Sequence, residues 1–167
     1  LPEAADPSIR SLVAGFMRDV RWHAPELEAK WIARWRDNPN KLIRDMALGY
    51  SAIEHTRNEP LEMAFTAMDG REVDLAKLRG KVVLVEFRGV TWCGACRDEE
   101  PYLKEAYARF RDQFEIVTIT YEMRPSDHER VQRYLKEKGL EWPHYFDGKG
   151  DNNPFVRQFA VTGVPDL

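Results

Sequence analysis

Residues 85–101 read VEFRGVTWCGACRDEEP and contain both cysteines of the 167-residue chain, Cys93 and Cys96. The stretch continues a β-branched apolar run, KVVLVEF, which is typical of a buried central strand. It leads into DEEPYLKEAYARFRDQ, whose apolar spacing predicts a helix. Two thiols three positions apart can form a redox pair, half of a metal site, or a chance pairing. Their position between a strand and the start of a helix favours the redox pair.

The same position suggests a role for each thiol. Cys93 falls at the predicted helix N-terminus, where unpaired amides and the helix dipole stabilise a thiolate and lower its pKa. Cys96 follows on the same side of the first turn, from which it can displace a mixed disulfide. We therefore predict that Cys93 is the nucleophile and Cys96 the resolving thiol.

Glu86 is a carboxylate within the hydrophobic strand that precedes the cysteines. Burial of a charged carboxylate is costly, so Glu86 should hold a proton easily and could exchange it with the less exposed thiol. The alternative is that Glu86 reaches the sheet edge and is solvated. We favour the proton-transfer role because the strand and the cysteine motif lie so close together.

Composition restricts the possible functions. With 43% apolar and 32% charged residues, the chain is expected to be globular. Its net charge of -3, without a lysine or arginine run, gives no electrostatic case for nucleic acid or an anionic membrane surface. The sequence shows neither an apolar run of about 18 residues nor a signal-peptide pattern. Because it starts at Leu1, we expect a processed or trimmed product, so a removed leader or anchor stays open.

Residues 1–60 are predicted to be helical. Asp6-Pro7 is read as the start of a first helix, Pro25 as the start of a second, and Asn38-Pro39 as the cap and first residue of a third. The apolar faces of the three helices are Ile9, Leu12, Val13, Phe16 and Val20; Leu27, Trp31, Ile32 and Trp35; and Leu42, Ile43, Met46, Ala47 and Tyr50. Trp22, Trp31 and Trp35 are expected to pack between these helices. The alternative is an aromatic surface for a partner or for dimerisation.

Residues 61–167 alternate strands and helices after a hairpin, which indicates an α/β domain. Asp69-Gly70 marks the hairpin turn, FEIVTIT a second buried strand, and Ser126, Glu129 and Gly139 the capping box and end of another helix. PHYFD is predicted to be a short strand, NPFVRQFAV a short helix and TGVPDL the approach to a strand. On the helix that carries the cysteines, the predicted apolar face consists of Tyr102, Leu103, Ala106, Tyr107 and Phe110.

The ordered motifs VVLVEF, TWCGAC and EEPYL resemble the TlpA/ResA-like thiol-disulfide oxidoreductases of the thioredoxin superfamily, which are related to the AhpC/TSA redoxin group. The resemblance covers roughly residues 61–167 and includes two features absent from plain thioredoxins. These are the segment DG…VDLAKLRGKVVLVEF before the cysteines and the insertion SDHERVQRYLKEKGLEWPHYFD. It implies a thioredoxin-like three-layer α/β fold with a central mixed sheet, no cofactor, and exchange with protein disulfides and an electron donor. It also implies a location in the bacterial cell envelope or periplasm.

The resemblance further implies roles for single residues. Glu86 matches the acid at the end of the central strand, Trp92 precedes the nucleophile, and Pro101 kinks the active-site helix. Pro165 matches the cis-proline beside the disulfide, and the Val164 backbone would pair with a substrate chain.

The chain also departs from this family. FRGVTWC replaces the usual FWATWC, so Arg88 adds a positive charge and the loop has one additional residue. Arg88 is expected either to stabilise a thiolate or to point into solvent. Gly94 and Ala95 stand where Gly-Pro is more usual and should tune the redox poise. The family continues beyond the cis-proline with two strands and a helix, so we expect this C-terminal part to be missing after Leu167.

Two other functions were weighed. A peroxiredoxin-like peroxidase is disfavoured because Thr91 lies only two residues before Cys93 and no suitable proline precedes it. A metal-holding or redox-active binding module is disfavoured because a structural zinc site needs four ligands. One Cys-x-x-Cys supplies two, and His23, His55, His128 and His144 show no ligand-like spacing.

Overall fold

The computed structural model describes residues 7–56, 59–159, 161 and 163–166, with side chains excluded at 7–11 and 52–56. By their internal contacts the residues group into two compact units, one formed by Leu1–Glu59 with Arg157–Thr162 and one by Pro60–Val156 with Gly163–Leu167. The helices are α1 Pro7–His23, α2 Glu28–Trp35, α3 Lys41–Thr56, α4 Gly94–Phe110, α5 His128–Lys138 and α6 Pro154–Gln158. The strands are β1 Ala64–Thr66, β2 Glu72–Asp74, β3 Val82–Arg88, β4 Phe114–Thr120 and β5 His144–Tyr145.

Helices α1, α2 and α3 build the first unit, as the apolar periodicity predicts. Their buried faces meet in one cluster, which consists of Val13, Met17, Ile32, Leu42, Met46 and Tyr50. At the α1–α2 junction, Arg21 forms an ion pair with the buried carboxylate of Glu28. The predicted cap Asp6 and the side chain of Ile9 lie outside the described residues.

The tryptophans of this unit do not behave alike. Trp31 and Trp35 lie against the cluster, and Phe16 contacts their rings at centroid distances of 5.0 and 5.5 Å. Packing is therefore confirmed for these two. It is wrong for Trp22, which is 82% exposed, because at 100° per residue position 22 turns away from the buried face through Val20. Leu12 is exposed as well, contrary to the prediction.

Helix α3 begins at Lys41, two residues later than predicted. The side chain of Asn40 accepts a hydrogen bond from the Leu42 amide at 2.9 Å, as an N-cap does. Asn38 instead accepts from the Asn40 amide, so Asn38 and Pro39 belong to the preceding turn. The prediction was wrong because both asparagines have suitable side chains, and the path of the backbone decides which one caps the helix.

The second unit opens with the predicted hairpin. Strands β1 and β2 pair antiparallel around Asp69-Gly70, and Gly70 has a φ of 84°, which favours glycine. Strand β3 then pairs parallel with β4, and β4 pairs parallel with β5. On its other side, β3 forms an antiparallel bridge between Phe87 and Asp166. With this bridge the sheet is mixed, as predicted, and β3 has a neighbour on each side at Phe87.

The core of this unit joins the sheet to α4 and α5. It contains Leu103 of α4, Val131 and Leu135 of α5, Ile116 of β4 and the buried Trp142. Two residues of the predicted α4 face, Tyr102 and Phe110, are exposed, so the buried stripe of α4 is narrower than expected. Burial of β3 increases toward its carboxyl end, where the cysteine loop begins.

Helix α5 ends as predicted but begins differently. Gly139 closes it with a φ of 61° in the left-handed region. Its N-cap is Asp127 without a side-chain cap bond, and Ser126 lies in the short 3-10 helix Pro125–Asp127. The capping box of Ser126 and Glu129 is therefore wrong. The Asp127 carboxylate instead forms ion pairs with Arg124 and Arg130, each three residues away in the sequence.

Candidate active site

Cys93 and Cys96 form a disulfide where the loop after β3 enters α4, with their Cα atoms 5.3 Å apart. Cys93 is the N-cap of α4, and its sulfur accepts a hydrogen bond from the Cys96 amide at 3.1 Å. Cys93 is 5% exposed, whereas Cys96 is completely buried. The sulfur nearer to solvent is thus the one at the helix N-terminus, where the backbone can stabilise a thiolate.

The segment around Pro165 lies beside the disulfide. The Val164–Pro165 peptide bond is cis, and the Val164 carbonyl oxygen is 3.7 Å from the Cys93 sulfur. Asp166 and Phe87 exchange two backbone hydrogen bonds of 2.8 and 3.1 Å. This bridge to β3 keeps Val164 next to Cys93, although the two residues are 71 positions apart in the sequence.

The loop between β3 and Cys93 is fixed against the end of β4. The Trp92 indole donates to the Tyr121 carbonyl at 3.1 Å while half of the side chain stays exposed. Gly89 is required beneath it, because a Cβ atom at this position would come within 2.4 Å of the Trp92 ring. Trp92 thus offers an apolar surface next to the disulfide.

Glu122 is a residue of this site that sequence reasoning missed. It is 1% exposed, and its carboxylate accepts hydrogen bonds from the amides of Val90 and Thr91 at 2.9 and 3.1 Å. Burial raises the pKa of Glu122, and the two amide bonds partly oppose the rise. A signal was present in FEIVTITYE, where an acid lies two residues beyond the apolar run of the strand.

Glu86 is fully buried, so the alternative of a solvated sheet edge is wrong. Thr118 of the neighbouring strand donates a 2.7 Å hydrogen bond to it and accepts one of 2.8 Å from the Trp142 indole. Burial raises the pKa of Glu86, while the charge of Arg88 and the Thr118 bond oppose the rise. The site therefore contains a carboxyl group that binds a proton more tightly than an exposed glutamate does.

Arg88 does not point into solvent. It is the last residue of β3, its side chain is 0% exposed, and it donates to the Cys96 carbonyl at 3.1 Å. Its contact with the redox turn is thus through the backbone of Cys96. The loop before Cys93 begins after Arg88, and of the two expectations for this side chain the solvent-exposed one is wrong.

The remaining predicted positions line the first turns of α4. Gly94 and Ala95 are exposed at its start, and Pro101 lies inside the helix.

Within the described part of the chain, no group of three or more histidine, cysteine or acidic side chains is arranged to hold a metal ion. His144 is buried and stacks on Trp142, and burial lowers its pKa to about 3.

A strand that carries a buried acid near its carboxyl end, a disulfide at the start of the next helix and a facing cis-proline define a thioredoxin-like dithiol protein. The AhpC/TSA family model matches residues 58–162, and the chain belongs to that family. It is a thiol-disulfide oxidoreductase of the TlpA/ResA-like group, as its relatives agree.

Two curated relatives are the thiol-disulfide oxidoreductases ResA of Bacillus cereus, strain ATCC 10987, and of Bacillus thuringiensis subsp. konkukian. They are 27% and 25% identical over 134 residues, which cover 74% of this chain and 73% of each relative. The resemblance inferred from the motifs is therefore confirmed.

Solved structures confirm the fold. The thioredoxin domain of a thiol-disulfide oxidoreductase from Bacteroides vulgatus is 27% identical, with a TM-score of 0.51 over 63% of this chain and 73% of that one. A thiol-disulfide oxidoreductase from Bacteroides fragilis, 18% identical, has a TM-score of 0.53 over 63% and 77% and supports the fold alone. Among the described residues, no helix is long and apolar enough to cross a membrane.

Proposed function

We propose that this protein acts as a dithiol reductant of protein disulfides outside the cytoplasm, in the bacterial cell envelope or periplasm. The observation that carries the proposal is the unequal placement of the two sulfurs. Cys93 caps α4 and faces Val164 and Pro165, while Cys96 is buried above Arg88. The location rests on the resemblance to ResA-like proteins.

In the proposed reaction, the Cys93 thiolate attacks a substrate disulfide. A sulfur–sulfur bond forms between Cys93 and the substrate, and the first substrate sulfur leaves as a thiolate that takes up a proton. Glu86 then accepts the proton of the Cys96 thiol, whose thiolate attacks the Cys93 sulfur. The second substrate thiolate leaves, so two electrons pass to the substrate and the Cys93–Cys96 disulfide remains. An upstream electron donor reduces that disulfide again.

Substrate contacts are proposed for the residues that surround the nucleophile. The Val164 carbonyl lies next to the Cys93 sulfur and can accept a hydrogen bond from an extended substrate chain. The half-exposed Trp92 ring provides an apolar contact beside it. Gly94 and Ala95, exposed in the turn between the cysteines, are proposed to set the redox poise.

The test is the reduction of insulin by the protein with dithiothreitol as the electron donor. We expect the wild type to accelerate reduction, Cys93→Ser to abolish the acceleration, and Cys96→Ser to trap a mixed disulfide that mass spectrometry detects. Activity of Cys93→Ser equal to the wild type would refute the assignment. Thiol-dependent consumption of hydrogen peroxide without insulin reduction would instead establish the peroxidase.

A measured reduction potential decides the direction. A value near that of thioredoxin, roughly −270 mV, supports the reductant, whereas one near roughly −120 mV supports an oxidant.

A further inference from the structure

A buried ionic network lies directly under the redox turn. The same Arg88 nitrogen, Nη2, donates to the Cys96 carbonyl at 3.1 Å and to Glu100 Oε1 at 2.5 Å. The other terminal nitrogen, Nη1, lies 3.4 Å from Glu86 Oε1. All three charged side chains are at least nine-tenths buried. One guanidinium thus joins two acids from different elements, β3 and α4, to the backbone of the resolving cysteine.

The two acids differ in how they are held. Glu100 accepts hydrogen bonds from both Arg88 and the Tyr134 hydroxyl, the latter at 2.9 Å. Burial and this bond to Glu100 raise the pKa of Tyr134 to about 12, so its hydroxyl stays a donor. Glu86 receives only the Thr118 hydroxyl, and its Oε1 has no hydrogen-bond partner among the described residues. Glu100 is therefore the acid that two donors hold in place beside Arg88, and Glu86 is the acid with an oxygen left open for a proton.

We propose that Arg88 is a positioning residue, which couples Glu86 to the resolving cysteine by holding Glu100 and the Cys96 carbonyl with the same guanidinium. The proposal deepens the proposed function and rests on it. Glu86 must be able both to accept the Cys96 proton and to release it. A lone carboxyl group buried in this sheet would stay protonated, and the adjacent cation makes the ionised form accessible.

The charged groups around Glu86 act on it in opposite directions. The charge of Arg88 and the Thr118 hydrogen bond lower the pKa of Glu86, whereas Glu99 and Glu100, both on α4, raise it. Around Arg88 itself lie also His144, whose protonation Arg88 opposes, and Tyr134. Removal of Arg88 and removal of Glu100 should therefore move the titration of Glu86 in opposite directions, although both changes remove a member of the same buried network.

The experiment follows the Glu86 carboxyl by carbon-13 NMR as a function of pH in the oxidised protein, where neither cysteine titrates. Glu86→Gln identifies the resonance. For Arg88→Met we expect the Glu86 midpoint to rise by about one pH unit or more, the usual effect of an opposite charge at this distance. For Glu100→Gln we expect it to fall. Arg88→Lys retains the charge and should stay closer to the wild type than Arg88→Met.

Arg88→Met leaves Glu100 buried without its cation, so this variant can fail to fold. In that event the comparison is made between Glu100→Gln and the double variant Arg88→Met/Glu100→Gln, in which both charges are absent. The double variant should have the higher Glu86 midpoint. Equal midpoints in these two proteins, or movement in the same direction on loss of Arg88 and of Glu100, overturns the proposal.

A second measurement links the network to the reaction. The pH profile of insulin reduction should move with the Glu86 midpoint in each folded variant, because Glu86 accepts the Cys96 proton. A wild type that does not reduce insulin would refute the proposed function without touching the NMR result. If the wild type is active, and Arg88→Met changes neither the pH profile of insulin reduction nor the Glu86 midpoint, only the role of Arg88 is refuted.

Discussion

Thr118 is the residue through which the sheet holds the buried acid, and Thr118→Val tests that interpretation. The hydroxyl of Thr118 donates to Glu86 at 2.7 Å and accepts from the Trp142 indole at 2.8 Å. Valine has the same shape without the oxygen, so the change removes both hydrogen bonds and leaves almost no cavity. Thr118 is completely buried, so water cannot replace either bond.

The magnitude follows from the groups left unpaired. The Trp142 N–H loses its acceptor and the Glu86 carboxyl loses a donor, and each buried loss costs about 1–3 kcal/mol. We therefore expect Thr118→Val to lower the free energy of unfolding by about 2–6 kcal/mol. The Thr118 bond also opposes the rise in the Glu86 pKa, so its loss should move the Glu86 titration to higher pH.

Thr120 provides a matched control on the same strand. It is as deeply buried as Thr118, but its hydroxyl has no hydrogen-bond partner in the part of the chain that is described. Thr120→Val should change the free energy of unfolding by no more than about 0.5 kcal/mol or stabilise the protein, because no side-chain bond is lost. The assay is guanidinium denaturation of the oxidised proteins, monitored by circular dichroism. The free energies of unfolding are compared with the same m value, the slope against denaturant concentration, for all variants.

Equal stability of the Thr118→Val and Thr120→Val proteins would refute this reasoning. It would mean that the two hydrogen bonds of Thr118 contribute nothing beyond packing. A loss confined to Thr118→Val, which disappears in a Glu86→Met/Trp142→Phe background without either partner of the hydroxyl, would confirm it through a double-mutant cycle.

Three further predictions concern the surroundings of the disulfide. Glu122→Ala should lower the free energy of unfolding, measured by guanidinium denaturation, by about 2–4 kcal/mol. Glu122→Gln should lower it less, because glutamine keeps an acceptor for the amides of Val90 and Thr91, and equal losses for the two variants would contradict this. Gly89→Ala should displace the Trp92 ring, because the new Cβ atom would lie 2.4 Å from that ring. We expect stronger acrylamide quenching of the tryptophan fluorescence, and unchanged quenching would count against the displacement. The pKa of Glu86 is raised above 4.5, so its contribution to stability is present below pH 4.5 and lost as the pH rises through the folded value. The advantage of Glu86→Gln over the wild type in the free energy of unfolding should therefore grow with pH, and a constant difference would argue that Glu86 is not shifted.

Much of the architecture could be predicted because its signals are local. A β-branched run, a glycine at a left-handed position and a proline at a first helical turn constrain the backbone through neighbouring residues alone. The hairpin at Asp69-Gly70, the end of α5 at Gly139 and the start of α4 at the cysteines follow from such signals. The N-cap of a helix was harder to predict where two neighbouring residues could both serve, as Asn38 and Asn40 could before α3.

The sequence by itself determined the order of strands and helices and the redox pair at the start of α4. The tertiary structure decided what surrounds that pair. The parallel register of β3 and β4 sets Glu86 opposite Thr118, and the packing of α4 on the sheet brings Glu100 to Arg88. These partners lie 32 and 12 residues apart, beyond the range of turn and helix periodicity. The sequence alone does not distinguish a buried Arg88 from a solvent-exposed one. Only the packing of distant elements shows that the carboxylates of Glu86 and Glu100 lie beside it inside the protein.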